Sequence, residues 1–245
     1  MKDNKVAFIT GANRGLGFQT ALELGEKGIT VIIGARDKVK DEEAIQKLKA
    51  KGIDAVLLVC DVDKFDDHKK VYEFIDKTYG KLDILINNAG IMLENAHGAN
   101  QTSKISQEVL KKTFDSNFFN LVALTQVLLP LIRKASTGRI VNLSSVLGSL
   151  TLHSDPNSDT YGFKSLAYDS SKAALNAFTI HLAHELKGTK IKVNSAHPGW
   201  VKTDMGGSEA PMEIEEGAQT SVRLALLPDD GPTGGFFHME DPLPW

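Results

Sequence analysis

The chain has 245 residues, 42% of them hydrophobic, enough to bury one sizeable core in a single α/β domain. Its formal charge of −3, with acidic and basic residues interspersed, suggests neither nucleic acid nor an anionic membrane as a partner. Cys60 is the only cysteine, which excludes an intrachain disulfide. The N-terminus meets charge at once, and no apolar run approaches the roughly eighteen residues of a membrane span, so a cytoplasmic setting is expected.

In chain order, an apolar run at 6–10 meets the turn T-G-A-N-R-G-L-G and then a helical pattern over 18–26. Apolar runs at 30–34, 55–60 and 82–86 alternate with helical patterns over 36–51 and 65–79. A long helix is expected over 105–133, with Pro130 kinking or shortening its end. A strand at 139–144, a loop, a helix carrying Tyr168 and Lys172 to about 186, and a strand at 191–196 follow. A helix at 213–227 and a strand at 235–239 precede a proline-rich tail. The strands are continuous apolar runs, as in a parallel sheet covered by helices on both faces. The expected fold is therefore a doubly wound α/β domain of about seven strands, spanning 1–245. Residues 1–100 would serve mainly a cofactor, and 101–245 mainly catalysis and substrate.

In such a sheet, ligands bind at the carboxyl ends of the strands. Gly11, Gly15 and Gly17 follow the first strand and open a helix, where backbone N–H groups and the positive helix end can cradle a pyrophosphate. In dinucleotide folds an acidic residue after the second strand holds the ribose 2′-hydroxyl. Here Ala35 and Arg36 occupy that place, and Arg14 lies within the glycine turn. Two charge-assisted bonds of about 1.5–3 kcal/mol each would favour a 2′-phosphate, hence NADP(H) over NAD. The plainer reading pairs either arginine with Asp37. Asp61 could accept from an adenine amino group or cap the helix that follows, and Asn87-Asn88 before Ala89-Gly90 could bond ribose or form a turn.

Tyr168 and Lys172 lie four positions apart, on one face of a helix. A phenol titrates near 10, but a cation about 4 Å away at an effective dielectric of about 20 contributes roughly 4 kcal/mol, or about three pKa units. The pair is thus a candidate general acid, expected to be poised near working pH.

With T-G-A-N-R-G-L-G, N-N-A-G, V-N-L-S-S, Y-D-S-S-K and P-G-W-V-K-T-D-M in this order over essentially the whole length, the chain resembles the short-chain dehydrogenase/reductases. Among these it resembles the NADP-dependent carbonyl reductases. The resemblance implies a Rossmann fold and a catalytic tetrad of Asn117, Ser145, Tyr168 and Lys172. Tyr168 would protonate the substrate carbonyl oxygen and Ser145 would orient it, with Ser144 the competing serine. Lys172 would depress the tyrosine pKa and bind the nicotinamide ribose, and Asn117 would hold a water linking the lysine to solvent. Implied cofactor contacts are Gly11, Asn13, Arg14, Gly15, Leu16, Gly17, Arg36, Asp61, Val62, Asn88, Ala89, Gly90, Tyr168, Lys172, Pro198, Gly199, Val201 and Thr203. No metal is implied.

The expected activity is NADPH-dependent reduction of a ketone or aldehyde, reversible as an alcohol dehydrogenase. The alternatives are reduction of a conjugated carbon–carbon double bond and a non-catalytic NADPH sensor. Retention of Tyr168 and the complete tetrad favours the first. The polar loop between Ser145 and Tyr168 is longer than in the family's tetrameric enzymes. It would block tetramers, favouring a monomer or homodimer, or would border the substrate pocket. Trp200 and Met205 would wall an apolar pocket or simply pack.

Overall fold

The computed structural model describes residues 4–36, 38–94 and 100–245. Its sheet begins with β1 (Val6–Thr10), β2 (Thr30–Ala35), β3 (Ala55–Val59) and β4 (Ile84–Asn87). Helices α1 (Gly15–Glu26), α2 (Lys38–Ala50) and α3 (Phe65–Tyr79) connect them. Helix α4 (Gln107–Phe114), a π-helical turn at Asp115–Phe119 and α5 (Asn120–Lys134) lead to β5 (Arg139–Leu143). Then come α6 (Leu150–Ser154), α7 (Leu166–Glu185), β6 (Lys192–Ala196), α8 (Ile214–Ala225), β7 (Phe236–His238) and β8 (Asp241–Pro242).

The strand order is β3-β2-β1-β4-β5-β6-β7-β8, parallel throughout except at β8. Continuous apolar strands arise because alternate residues fill opposite cores. Ile9, Ile33, Ile86 and Val141 face one core, with Leu24 of α1, Leu48 of α2 and Val222 of α8. Phe8, Ile32, Leu85 and Ile140 face the other, with Ile75 of α3, Leu128 of α5 and Leu182 of α7.

The expected seven strands are eight, because two residues of the proline-rich tail turn back at Met239 (φ 50°) and pair Phe237 with Pro242. A two-residue strand carries no periodicity, so its sequence gave no sign of it. The expected single helix over 105–133 is two helices joined by the π turn. Pro130 does not end α5, which runs on to Lys134. Among the described residues, Gln107–Lys134 is the one helical run long and apolar enough to cross a membrane. Its Leu124, Leu128, Leu131 and Ile132 are buried in the second core.

The order of the strands reverses between β1 and β4, which opens a crevice above their carboxyl ends. A buried polar chain stiffens that edge. Asn87 Nδ2 donates to Asn142 Oδ1 at 2.9 Å, Asn142 Nδ2 to the Thr179 hydroxyl at 2.8 Å, and Thr179 lies 2.8 Å from the Ser195 hydroxyl. It links β4, β5, α7 and β6 with buried bonds, and leaving one partner unsatisfied would cost about 1–3 kcal/mol.

Candidate active site

The crevice is laced shut at its base by Thr10 and Asn88. The Thr10 hydroxyl accepts from the N–H groups of Asn88 and Ala89, each at 3.0 Å, while Asn88 Nδ2 donates to the carbonyls of Thr10 and Gly11 at 2.8 and 3.1 Å. Gly17 comes so close that a Cβ there would lie 2.5 Å from Asn88 Nδ2 and 2.6 Å from the Gly11 carbonyl oxygen. Glycine is required here by packing between helix and loop. Arg14, at the N-cap of α1, makes no side-chain cap bond, and the first turn holds no acidic residue. Uncapped N–H groups at a positive helix end beside Gly11, Gly15 and Gly17 fit a pyrophosphate.

Around this cradle, Asn13 donates to Asp41 of α2 at 2.7 Å, and Arg14 forms an exposed ion pair with Asp204. Arg36 is exposed at the end of β2, and its suggested partner Asp37 lies outside the described residues. Asp61 does not cap α3, whose N-cap is Lys64. Its Oδ1 instead accepts from the Asp63 N–H at 3.3 Å, within the turn after β3. Val62 faces Thr10, Asn87, Ala89 and Ser116 across a narrow crevice.

The segment after β6 closes the other side. Pro198 and Gly199 follow the strand, and Val201 pairs with Met212. Val201 and Leu16 meet over Gly217 of α8, where a Cβ would lie 2.5 and 2.8 Å from them. Thr203 sits beside Gly15, its Cγ2 3.8 Å from a Cβ placed there. The structure thus brings the glycine turn and the 198–203 segment together. Trp200 and Met205 are 47% and 41% exposed, so neither is a core packing residue. The Trp200 indole N–H donates to the Gly206 carbonyl at 2.8 Å.

The four residues expected to form a tetrad lie together where α7 crosses the ends of β4 and β5. Tyr168 and Lys172 are buried, and Lys172 Nζ lies 5.5 Å from the Tyr168 ring centre while donating to the Leu143 carbonyl at 2.8 Å. Ser145 caps the short 3-10 turn Val146–Gly148. Its Oγ accepts from the Leu147 N–H at 3.2 Å, and the Ser145 side chain acts on the Tyr168 phenol, favouring its charged form against burial. The competing Ser144 has a buried Oγ that no hydrogen bond reaches. Asn117 occupies the middle of the π turn, a local widening of the helix often found at functional sites. Its Oδ1 accepts from the Ile91 N–H at 2.8 Å, and its Nδ2 donates to the Ile91 carbonyl at 2.9 Å and the Ser171 hydroxyl at 3.0 Å. Gly90 lies between Asn117 and Lys172, a Cβ there falling 3.3 Å from Asn117 Oδ1 and 3.4 Å from Lys172 Nζ.

The expected depression of the tyrosine pKa does not hold for the protein alone. Burial pushes the Tyr168 phenol up to about 12, with Ser145 opposing and Asp169 adding to the rise, and burial pushes Lys172 down to about 8. Desolvation penalises the charged form of both groups. One of the three ammonium N–H groups donates to the Leu143 carbonyl.

Sequence reasoning missed Thr10, Ile91 and Ser171. Ser171 had a signal, since its hydroxyl donates to the Tyr168 carbonyl one turn back at 2.7 Å. Thr10 and Ile91 act through contacts 78 and 26 positions away, which leave no local pattern.

The short chain dehydrogenase family model matches residues 5–214. Carbonyl reductase (NADPH) 1 of Mus musculus is 35% identical over 280 aligned positions, covering 98% of each chain. Salutaridine reductase of Papaver somniferum is 32% identical, covering 95% of this chain and 94% of its own. The solved structure of that salutaridine reductase superposes with a TM-score of 0.84 at 30% identity, covering 96% of this chain and 99% of its own. NADPH-bound carbonyl reductase from chicken fatty liver gives a TM-score of 0.85 at 27% identity, covering 99% of both chains. The chain belongs to the short-chain dehydrogenase family.

Proposed function

We propose that this chain is an NADPH-dependent carbonyl reductase, reversible as an alcohol dehydrogenase, in which Tyr168 is the general acid. The observation that carries the reading is the buried Tyr168, with Lys172 Nζ 5.5 Å from its ring centre and Ser145 acting on its phenol. Relatives named carbonyl reductase (NADPH), salutaridine reductase and neomenthol dehydrogenase support the chemistry.

In this reading Gly11, Asn13, Gly15, Leu16 and Gly17 hold the pyrophosphate end of the cofactor, Arg14 and Arg36 the 2′-phosphate, and Asp61 and Val62 the adenine. Asn88, Ala89, Gly90, Lys172, Pro198, Gly199, Val201 and Thr203 hold the ribose and nicotinamide end. Bound NADPH supplies the hydride. Ser145 Oγ accepts from the Leu147 N–H, so its O–H is left as a donor, toward the Tyr168 phenol in the protein alone and toward the substrate oxygen once substrate is bound. Tyr168 delivers the proton. Even with its pKa raised by burial, a phenol is a stronger acid than an alcohol, so it can protonate the alkoxide that forms on the substrate. Lys172, near 8, stays largely cationic at pH 7 and stabilises the phenolate that remains. Asn117, across Gly90 from Lys172, would hold a water that connects the lysine to solvent.

The reading includes a monomer or homodimer in the cytoplasm, where the buried Cys60 thiol, pushed up to about 12 by burial and by Asp67 and Asp61, stays reduced and inert. The test is NADPH and NADH oxidation against aromatic, aliphatic, cyclic and α,β-unsaturated ketones and aldehydes, with products identified. Alcohols formed with NADPH preferred support the reading. Saturated ketones from the enones transfer it to double-bond reduction, and NADPH binding without turnover transfers it to a sensor.

A further inference from the structure

Helix α7 presents an unusual N-terminus. Its N-cap, Ser165, makes no side-chain cap bond, because the Ser165 hydroxyl accepts from Asn100 Nδ2 at 3.0 Å. The third helical N–H, which an N-cap hydroxyl ordinarily serves, belongs to Tyr168 itself. That N–H donates instead to Glu94 Oε2 at 2.9 Å, across 74 positions of sequence. Glu94 is half-buried and lies three residues after Ile91, whose peptide Asn117 grips at both ends. One short segment after β4 therefore touches two members of the tetrad, Asn117 through its amide and Tyr168 through its backbone.

We propose that Glu94 is a positioning residue for the proton donor: its carboxylate caps the catalytic helix from outside and fixes the first turn of α7, and with it the Tyr168 phenol, against the 91–94 segment. The proposal rests on Tyr168 being the proton donor. A carboxylate suits the task because it completes a charge-assisted bond and sits at the positive end of the helix. Asp169 plays the companion part, its Oδ2 accepting from the Ser165 N–H at 2.8 Å. The two carboxylates lie close enough that Glu94, after burial, raises the Asp169 pKa. Because a misplacement of about 1 Å in a reacting group costs up to about a hundredfold in rate, a slack first turn would be felt at the phenol.

The test compares wild type with Glu94→Ala and Glu94→Gln. The chain has four tyrosines, so ¹⁵N-tyrosine labelling gives a spectrum simple enough to follow the Tyr168 amide, identified by its loss in Tyr168→Phe. The expected result for Glu94→Ala is an upfield shift of that amide, exchange at least about tenfold faster, and a kcat at least about tenfold lower, with KM for NADPH within about twofold. Glu94→Gln, which keeps an acceptor, recovers most of the kcat. An amide unmoved by Glu94→Ala overturns the anchor. An amide that moves while kcat does not, or a kcat loss that glutamine fails to recover, overturns the positioning role. The amide readout needs no turnover, so a shift in Glu94→Ala together with a wild type that reduces no carbonyl compound counts against the reductase reading alone.

Discussion

Lys172 lies one helical turn beyond Tyr168, its Nζ 5.5 Å from the phenol ring centre, and one of its three N–H groups donates to the Leu143 carbonyl. Both groups are buried, so the tyrosine is up near 12 and the lysine down near 8. For the protein without cofactor, an ultraviolet difference titration of wild type against Tyr168→Phe is expected to show no Tyr168 phenolate between pH 7 and 10. Phenolate by pH 8 would contradict the dominance of burial. With Tyr168 as the proposed proton donor, carbonyl reduction would use the protonated phenol and alcohol oxidation the phenolate, so the oxidation rate is expected to rise with pH over the range where reduction is flat or falling.

Arg14 and Arg36 flank the end of the cradle that would take a 2′-phosphate. The double substitution Arg14→Ala/Arg36→Ala is expected to weaken NADPH binding by about 10²–10⁴ while changing NADH binding little, as two lost charge-assisted bonds require. Calorimetric titration of both cofactors decides it, an equal loss for both being the contrary outcome.

Gly17 packs against backbone as well as side chain. Gly17→Ala is expected to cost about 1–3 kcal/mol of stability and to weaken NADPH binding sharply. The additional substitution Asn88→Ala should not restore either, because the Gly11 carbonyl stands 2.6 Å from the added methyl. Rescue by Asn88→Ala in thermal unfolding would place the obstruction in the side chain alone.

Burial first, and then Glu94, lift the Asp169 carboxyl to about 7, opposed by the Ser165 N–H and Lys164. The folded protein holds this proton more tightly than the unfolded chain does. The associated stability is therefore fully present below about pH 4 and is lost as the pH rises toward 7. Asp169→Asn is expected to lose less stability than wild type between pH 4.5 and 7.5 in urea unfolding. Parallel pH profiles for the two proteins would contradict the assignment.

The doubly wound sheet was legible because burial on both faces writes unbroken apolar runs such as Val6–Thr10. The glycine turn, Asn88, Ser145 and the Tyr168–Lys172 pair were legible because each follows a strand or falls at helical spacing, where the chemistry dictates residue type. The Thr10–Asn88 lacing, the Asn117 grip on Ile91 and the Glu94 cap were not, since each joins positions 26 to 79 apart. The direction of the Tyr168 shift was misjudged for a physical reason: spacing places the ammonium but says nothing of the desolvation that outweighs it. Helix α6, which occupies part of the loop between Ser145 and Tyr168, is five residues long, too short for its periodicity to be read.

The central claim is that Tyr168 gives the proton in an NADPH-dependent carbonyl reduction. Its most direct test is the rate of NADPH oxidation with a ketone that wild type reduces, measured for wild type and Tyr168→Phe alongside NADPH affinity. The account predicts a kcat lower by at least about a thousandfold, as loss of the proton donor allows, with NADPH affinity kept within a few fold. An unchanged kcat in Tyr168→Phe would contradict it.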